Sequence, residues 1–571
     1  MRKIWKIKPV LEHDAAELAR QADIPPLIAR LLMRRGFSTP AQAVDFLCAD
    51  LSSLAPPEQM AEFTEAAELV RGAIAGKRKI LIVGDYDVDG LTSSAVLCRG
   101  LRSLGGRVDV HIPHRMTDGY GLKEELIRRA AAQEVKLLLC TDCGTTSFKE
   151  LRYAHKMGME TVVVDHHELL PAGRPPASAF LNPLQPACRY PEKELASVGV
   201  AFTLLRGLMK DQPSRLIWEH LDLVALGTIA DVAPLTGENR ILVKAGLHRL
   251  GGTDKPGLKA LLASAKVERR PVTTEEVAFY LAPRLNAVGR TGSAEAALQL
   301  LVTDSPAEAG ELAAKIEKEN KARGSLERQA FAKALAKVER EVHFSRERIV
   351  ILEDEEWHPG VIGIIASRLS SRLRRPVVVI ARNGRFCRGS ARSVGGFSLV
   401  ETLEEIKEHL IEFGGHPAAA GFTVEADRIP LFRKSLQEAA HRRLHPDHLV
   451  HWIEADEKVE LSSLSAELMR DLELLAPFGA GNPRPVFLSE DAQVPAERSP
   501  LPFHPWGIRF LVEDAQGRPF EAVQSRFDAA EGWNVRRLNP GPVALAYSPI
   551  VRRDQDDFRI ELKLCDLKVP V

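Results

Sequence analysis

Residues Lys79 to Leu97 read KILIVGDYDVDGLTSSAVL, and this stretch decides the fold of the chain. Its first part, Ile80 to Val83, is a short β-branched and aliphatic run of the kind found in buried parallel strands. The polar residues Thr92, Ser93 and Ser94 then open an apolar stretch, which predicts the start of a helix. The stretch as a whole therefore predicts a strand, an acidic turn and a helix of an open α/β sheet.

The acidic turn places Asp85, Asp87 and Asp89 at alternate positions before Gly90. Carboxylates this close repel one another unless a cation lies between them, and oxygen ligands in number suit hard divalent ions. A solvated acidic turn is the alternative interpretation of the stretch taken alone. An EF-hand loop is excluded, because its twelfth position requires a glutamate and Val96 stands there.

The composition is that of a globular protein with several domains. The 571 residues are too many for one core, and we expect two to four domains. The 77 basic and 77 acidic side chains cancel, so the net charge identifies no partner. Seven cysteines are an odd and sparse set, which favours a reducing compartment over a disulfide framework. The sequence has no signal-peptide pattern and no run of membrane-spanning length, so we expect a cytoplasmic protein and no membrane partner.

The chain divides into segments with different patterns. Residues 1–75 mix short helical patterns with loop signals and are expected to form a helical region without chemistry. Residues 76–305 repeat strand, turn and helix, which predicts a parallel sheet with helices on both faces. Residues 306–345 predict one long connecting helix, and residues 346–445 predict a second α/β domain. Residues 455–571 contain short alternating segments with Pro and Gly between them, which predicts a small all-β barrel.

Polar groups also follow later elements of the first α/β domain. Asp142 comes after an apolar strand, Asp165-His166-His167 comes after the next strand, and Asp231 comes after an apolar helix. Because the carboxyl ends of parallel strands meet at one edge of a sheet, these groups complete a binuclear metal site with the acidic turn. Asp142 stands alone at its strand end and is the natural bridging carboxylate. The nitrogen of His166 favours Mn²⁺ as an occupant, while we expect His167 to face the substrate and Asp165 to orient a histidine.

Two cysteines beside this site have the spacing of a zinc or redox pair. They are Cys140 and Cys143, and no second cysteine pair accompanies them. Cys140 closes an apolar strand, so we expect core packing and not metal binding.

Four further stretches are suited to binding phosphate. They are Pro283–Gly292 with two arginines, Trp357–Gly363 before a predicted helix, Arg388–Ser393 with alternating donors, and Gly414–Gly421 with its backbone amides and a histidine. Each stretch alone is typical of ordinary structure. Since all four follow a carboxylate–histidine site in one chain, they predict phosphate as the substrate group.

Several motifs together resemble the bacterial RecJ family of single-strand exonucleases, within the DHH phosphoesterase superfamily. The motifs are GDYDVDG at 84–90, DHH at 165–167, SVGVAF at 197–202, GTIADV at 227–232, LNAVGR at 285–290, WHPGVIG at 357–363, GGHPAAAGF at 414–422 and PFGAGNP at 477–483. The resemblance runs from about Leu81 to the C-terminus. It implies a DHH domain, a DHH-associated domain and an OB-fold-like domain that binds nucleic acid.

The resemblance also implies an activity: 5′ to 3′ degradation of single-stranded DNA to mononucleotides with Mn²⁺ or Mg²⁺, in recombination and repair. It implies metal ligation by Asp85, Asp87, Asp89, Asp142, His166 and Asp231, with Asp142, Asp165 and His167 as catalytic residues. It implies substrate contacts from Asn286, Arg290, Arg388, Ser390, Arg392, Gly415 and His416. A single-stranded-DNA-binding protein and a RecQ-type helicase are the partners that the family implies.

Two other function classes are alternatives to this interpretation. One is a DHH phosphodiesterase of short oligonucleotides or cyclic dinucleotides, whose members usually lack the C-terminal OB domain expected here. The other is a non-catalytic scaffold for single-stranded DNA, which occurs where the ligand residues have decayed. The motifs also leave RNA open as an additional substrate.

Overall fold

The chain forms two compact units in a computed structural model. The described residues are 4–114, 121–267, 271–291, 294–450, 452–495, 501–503, 507–524, 540–554 and 557–569. One unit comprises residues 41–322 with 475–483, and the other comprises residues 1–40, 323–474 and 484–571. In the described part of the chain, no helix combines the length and apolar character that a membrane crossing requires.

The N-terminal region is not purely helical, which corrects the expectation for residues 1–75. Its elements are β1 (Ile4–Ile7), α1 (Glu12–Ala22), α2 (Pro26–Arg34), α3 (Pro40–Cys48) and α4 (Phe63–Ala75). Strand β1 pairs in parallel with residues Trp452–Ala455, which lie far from it along the chain. A four-residue strand whose partner lies this far away in sequence leaves no local pattern to detect.

The first unit is built on a five-stranded parallel sheet in the order β3-β2-β4-β5-β6. Its strands are β2 (Lys79–Gly84), β3 (Arg107–His111), β4 (Val135–Thr141), β5 (Glu160–Val164) and β6 (Ala179–Leu181). In β2, Ile80 and Ile82 point into one core cluster, while Leu81 and Val83 point into another on the opposite face. This burial on both faces explains the continuous aliphatic run and confirms the predicted sheet.

Helices cover both faces of this sheet. The helices of this unit after α4 are α5 (Val88–Ser103), α6 (Glu124–Ala132), α7 (Phe148–Lys156), α8 (Ser197–Leu208), α9 (Ser214–Trp218), α10 (Leu221–Ala230), α11 (Gly237–Gly251), α12 (Pro256–Ala265), α13 (Thr274–Glu276), a π-helical turn (Val277–Leu281), α14 (Ala282–Thr291) and α15 (Glu295–Val302). Helix α16 (Pro306–Glu341) is the long helix that the sequence predicts.

Two boundaries near the predicted site differ from expectation. Helix α5 begins at Val88 and not at Thr92, because the Asp87 side chain accepts a hydrogen bond from the Gly90 amide and caps the helix one turn earlier. The stretch Pro283–Gly292, expected to bind phosphate with two arginines and a flexible backbone, is helical as far as Thr291. Gly289 is therefore a helical residue, while residues 292 and 293 lie outside the described part of the chain.

The second unit contains a mixed five-stranded sheet in the order β10-β11-β9-β8-β7. Its strands are β7 (Val350–Asp354), β8 (Val377–Ala381), β9 (Phe386–Arg392), β10 (Glu412–His416) and β11 (Ala419–Glu425), and its helices are α17 (Pro359–Leu373), α18 (Leu399–Glu405) and α19 (Ile429–Arg443). Only β7 and β8 pair in parallel among these described strands. The glycine-rich stretch Gly414–Gly421 is the β10–β11 hairpin.

The C-terminal residues of this unit form a closed β-barrel. The elements are β12 (Trp452–Ala455), β13 (Glu457–Lys458), α20 (Ala466–Glu473), β14 (Phe487–Val494), β15 (Leu501–Phe503), β16 (Gly507–Glu513), β17 (Pro519–Gln524), β18 (Gly541–Asp554) and β19 (Asp557–Lys568). Five strands close the cycle β14-β18-β19-β17-β16, because Gln493 pairs back to Glu513. A five-stranded barrel of this kind is the architecture of the OB-fold, and the predicted fold class is confirmed.

Candidate active site

The predicted ligands of the first unit meet where strands of its parallel sheet end. Asp85 and Asp87 follow β2, Asp142 follows β4, and His166 follows β5. Asp231 is the residue at the C-terminal end of α10. Helix α10 approaches closely because Gly227 has no side chain, and a Cβ there would lie 2.1 Å from Oγ1 of Thr92.

The structure brings all six predicted metal ligands, together with His167, into three overlapping groups. The groups are Asp142 with His166 and His167, Asp89 with His166 and Asp231, and Asp85 with Asp87 and Asp142. In each group the donor atoms lie within 4.8 Å of one another. Carboxylate oxygens with one or two imidazole nitrogens are a donor set that fits Mn²⁺ and accepts Mg²⁺.

His166 lies at the centre of these groups. Its Nε2 is 3.5 Å from Oδ1 of Asp142 and 4.0 Å from Oδ2 of Asp89. Its Nδ1 is 3.9 Å from Oδ2 of Asp231. Because Asp142 and His166 each belong to two groups, the arrangement suits two adjacent ions that share ligands.

The electrostatics of the cluster favour a bound cation. Burial, followed by repulsion from Asp87, raises the pKa of Asp142 well above its ordinary value. Burial and the charge of Asp231 raise the pKa of Asp89 to about 7, and burial and Asp87 raise the pKa of Asp231 to about 7. Because the pKa values of three carboxyls are raised at one place, a divalent cation bound there would relieve their mutual repulsion and take the place of protons.

Asp165 lies behind the cluster and belongs to none of the three donor groups. Its Oδ1 accepts a hydrogen bond from Nδ1 of His167 at 2.7 Å, and its Oδ2 accepts from the Thr145 hydroxyl at 2.7 Å. Burial opposes ionisation of Asp165, but these bonds outweigh it and hold its pKa below the ordinary range. Burial likewise opposes charging of His167, but its bond to Asp165 raises its pKa to about 9.

Sequence reasoning missed the polar residues that orient this centre. The Asn182 side chain donates to the backbone oxygen of His167 at 2.9 Å, and Ser197 contacts two of the aspartates. Thr145 lies in the turn after β4, and its residue type alone gives no sign that it supports Asp165. Ser197 opens one of the motifs that carry the family resemblance, which was the available signal.

Cys140 and Cys143 belong to none of the three donor groups of the described residues. Cys140 and Cys143 are buried in the core cluster on one face of the sheet, as predicted. Among the described residues, which include all seven cysteines, no disulfide is formed.

Helix α14, which carries two of the predicted substrate residues, contacts the acidic turn through Gly289. A Cβ on Gly289 would lie 3.0 Å from the backbone oxygen of Tyr86, so this helix packs against the turn. Asn286 is half-buried on the same helix, and the side chain of Arg290 lies outside the described residues. Arg284, the other arginine of the stretch, is engaged with Glu317 at 2.8 Å.

The second unit gathers four of its five predicted substrate residues, all but Gly415, on one face of the mixed sheet. Residues on β9, β11 and β10 pair in three cross-strand rows: Arg392 with Ala419 and His416, Ser390 with Gly421 and Gly414, and Arg388 with Thr423 and Glu412. The middle row carries only one side chain, so it forms a shallow floor between the other two. We call these three rows the β9–β11 face.

Hydrogen bonds distinguish the residues of the β9–β11 face. The Arg392 guanidinium donates to the Ser390 hydroxyl at 3.1 Å, so the two polar groups are adjacent. Arg388 is paired with Glu412 at 3.1 Å, which places a carboxylate beside it. Gly415, between these rows in sequence, has a φ of 140°, and a Cβ there would lie 2.3 Å from the Ala419 oxygen.

The start of α17 borders the same face. A Cβ on Gly363 would lie 3.2 Å from the Ser390 hydroxyl and 3.3 Å from the Arg392 guanidinium. The anion site predicted at the N-terminus of this helix is partly filled, because Nδ1 of His358 accepts a hydrogen bond from the Gly360 amide at 3.0 Å. Trp357 is buried in the core.

Comparison with known families identifies three regions of the chain. A model of the DHH family, N-terminal domain, matches residues 79–228, and a model of the DHHA1 domain matches residues 346–442. A model of the RecJ OB domain matches residues 455–566.

Curated relatives match over most of the chain. The single-stranded-DNA-specific exonuclease RecJ of Bacillus subtilis (strain 168) is 38% identical over 490 residues, which cover 86% of this chain and 62% of that protein. The protein of the same name from Escherichia coli (strain K12) is 35% identical over 490 residues, which cover 82% of this chain and 83% of that protein. The chain thus spans about three fifths of the first relative and most of the second.

Solved structures match the whole chain. The crystal structure of RecJ in complex with Mn²⁺ from Thermus thermophilus matches with a TM-score of 0.84 and 31% identity, covering 100% of this chain and 80% of that one. The corresponding Mg²⁺ complex matches with a TM-score of 0.78 and 30% identity, covering 100% of this chain and 79% of that one.

Proposed function

The chain belongs to the RecJ family of single-stranded-DNA-specific exonucleases, and we propose that it degrades single-stranded DNA from the 5′ end to 5′-mononucleotides in recombination and repair. The observation that carries the proposal is the cluster of six ligands, all of which are present and adjacent. A non-catalytic scaffold would not require three buried carboxyls that repel one another.

The proposed metal ligands are Asp85, Asp87, Asp89, Asp142, His166 and Asp231, with Mn²⁺ or Mg²⁺ as the ions. When bound, such ions supply Lewis-acid activation of water and compensation of charge at the scissile phosphate. Asp142 belongs to two donor groups, and in this proposal it is the shared carboxylate.

Asp165 and His167 act on the substrate side of this centre in our proposal. Asp165 holds the His167 ring by the 2.7 Å hydrogen bond to Nδ1, and the pKa of His167 is raised to about 9. The protonated ring therefore carries positive charge at neutral pH. Because the His167 side chain is 32% exposed, that charge is available to offset negative charge on a phosphoryl oxygen.

The β9–β11 face is the proposed site for the terminal 5′-phosphate. Arg392 and Ser390 present adjacent donors, with His416 in the same cross-strand row as Arg392. An arginine fork and a hydroxyl over a glycine floor suit a phosphate dianion, since the floor leaves room for its oxygens. Arg388, Gly415, Asn286 and Arg290 complete the proposed set of substrate residues.

We assign one role in the proposed reaction to each of three segments predicted from the sequence. Residues 76–305 carry the chemistry, residues 346–445 bind the 5′ end, and residues 455–571 bind single strands by electrostatics and base stacking. By family resemblance, a single-stranded-DNA-binding protein and a RecQ-type helicase are the proposed partners. A cytoplasmic location is part of the proposal, in keeping with the odd and sparse set of seven cysteines.

A comparison of substrates tests the proposed function. The purified chain with Mn²⁺ is given a 5′-labelled single strand, the same strand in a blunt duplex, a single-stranded RNA and a dinucleotide. We expect rapid release of labelled mononucleotide from the single-stranded DNA and little from the duplex. Consumption of the dinucleotide with the long strand left intact would replace this proposal with a short-substrate phosphodiesterase.

A further inference from the structure

Ser197, the first residue of α8, contacts two of the proposed metal-binding aspartates at once. Its backbone N–H donates to Oδ2 of Asp89 at 2.8 Å, and its hydroxyl donates to Oδ1 of Asp142 at 2.9 Å. The next amide of the helix, that of Val198, donates to Oδ1 of Asp89 at 2.9 Å. Ser197 is fully buried, so bulk water does not compete for these bonds.

The two aspartates are held in different ways. Asp89 accepts from the first two amides of α8, where unpaired N–H groups and the helix dipole favour negative charge. Its orientation therefore depends on the backbone and survives a change of side chain at position 197. Asp142 accepts a hydrogen bond from the Ser197 hydroxyl, and that hydrogen bond disappears when the serine is replaced by alanine.

The hydroxyl contacts an oxygen of particular importance. Oδ1 of Asp142 is the atom that lies 3.5 Å from Nε2 of His166 and 3.9 Å from Nδ1 of His167. Asp142 also belongs to the group with Asp85 and Asp87. A bond that orients this carboxylate consequently acts on both groups that share it.

We propose that Ser197 is a positioning residue that couples Asp89 to Asp142 and fixes the orientation of the carboxylate that belongs to two of the three donor groups. This inference rests on the proposed metal-dependent function. It assigns Ser197 an effect on metal affinity, exerted through Asp142 and not through contact with the substrate.

The experiment is calorimetric titration of the full-length chain with Mn²⁺, paired with activity on single-stranded DNA over a range of Mn²⁺ concentrations. The variants are Ser197→Ala and, as a matched control, Thr203→Val. Thr203 is a buried residue of the same helix whose hydroxyl donates to the Gly199 backbone oxygen at 2.9 Å. The control thus perturbs α8 without touching a carboxylate.

We expect Ser197→Ala to weaken Mn²⁺ binding about tenfold or more, the scale of losses when the partner of a metal ligand is removed. Its activity should recover largely when Mn²⁺ is raised by the same factor. Thr203→Val should bind Mn²⁺ like the wild type. Should Ser197→Ala fail to fold, Ser197→Cys offers a weak donor of similar size and should also bind Mn²⁺ more weakly.

The outcomes separate this inference from the proposed function. Wild-type Mn²⁺ affinity in a folded Ser197→Ala or Ser197→Cys variant would overturn it and leave Ser197 a structural residue. Absence of Mn²⁺ binding by the wild-type chain would instead overturn the proposed metal centre itself.

Discussion

Nδ1 of His167 lies 2.7 Å from Oδ1 of Asp165, so the third residue of the DHH motif is held by the first. The carboxylate of Asp165 is buried and also accepts from Thr145, both from its hydroxyl and from its amide. Between them lies His166, which points into the donor groups. The end of β5 therefore supplies both a proposed metal ligand, His166, and a histidine, His167, whose ring is held by a buried carboxylate.

We predict that Asp165→Asn lowers kcat on single-stranded DNA about 10- to 100-fold without unfolding the chain. The amide lacks the charge that raises the pKa of His167, so the variant should lose activity most steeply as the pH rises from about 7 to about 9. Steady-state kinetics across that range measure the effect.

Thr145→Val is the matched control, since it removes a neutral donor from the same carboxylate. The loss of kcat in Thr145→Val should be smaller than in Asp165→Asn and should not become steeper as the pH rises. Equal pH profiles for wild type and Asp165→Asn would contradict the assigned role of the pair.

Gly227→Ala should impair the site through packing alone. The added Cβ would lie 2.1 Å from Oγ1 of Thr92 and 2.9 Å from a methyl of Val198, so α10 must move and carry Asp231 with it. We expect at least a tenfold loss of activity and a destabilisation of about 1–3 kcal/mol. Kinetics and thermal unfolding measure the two effects.

Gly310→Ala is the control for this substitution. Gly310 lies in α16, and apart from its chain neighbours and its own helix backbone no described residue comes within 4 Å of the added Cβ. The change should therefore preserve activity and raise stability by about 0.5–1 kcal/mol. An active Gly227→Ala variant would show that the close approach of α10 is not required.

We predict that the effect of Arg392→Ala on kcat/KM depends on the chemical group at the 5′ end of the substrate. If the β9–β11 face binds the terminal phosphate, the variant should lose about tenfold or more in kcat/KM on 5′-phosphorylated strands and much less on 5′-hydroxyl strands. Arg385→Ala, an exposed arginine of the same domain paired with Glu425, should lose little on either substrate. An equal loss on both ends would place Arg392 elsewhere in the mechanism.

We predict that His220, which lies outside the candidate active site, makes the folding stability of the chain sensitive to acid. It is fully buried, neither ring nitrogen has a hydrogen-bond partner among the described residues, and burial together with Lys255 and Arg99 lowers its pKa to about 3. The imidazole of the unfolded chain binds a proton below pH 6.5, whereas the buried ring of the folded chain stays neutral until about pH 3. Protonation therefore favours the unfolded state, and the free energy of unfolding falls progressively as the pH drops from 6.5 toward 3.

Urea unfolding of wild type and His220→Leu at about pH 7 and about pH 5 measures this contribution. Between these two pH values the free energy of unfolding of the wild type should fall by about 2 kcal/mol more than that of the variant, because of the lowered pKa of His220. Parallel losses in the two proteins would contradict a neutral His220.

The sequence was sufficient to predict that the polar groups at the strand ends meet in one site. Alternate aspartates after β2, one aspartate after β4 and the DHH motif after β5 all obey one rule of parallel sheets, so their meeting could be predicted. Asp231 could be included because it also ends an apolar element, although that element continues to Ala230.

Contacts between distant residues could not be predicted from local patterns. Ser197 lies 55 residues from Asp142, and only the folded chain shows which carboxylate its hydroxyl meets. Strand β1 depends on a partner at Trp452–Ala455, and the Trp5 indole donates to Asp566 at 2.7 Å. The helical form of residues 282–291 reflects packing against the acidic turn, which overrides the flexibility that a glycine suggests.

The most direct test of the metal centre is the fate of a 5′-labelled single strand exposed to wild type and Asp142→Ala, each with Mn²⁺ and with EDTA. Asp142 belongs to two donor groups, so its loss should abolish hydrolysis while far-UV circular dichroism stays unchanged. We predict immediate release of labelled mononucleotide only from wild type with Mn²⁺. Mononucleotide release by a clean preparation of Asp142→Ala, or by wild type in EDTA, would contradict the metal centre on which the proposed activity depends.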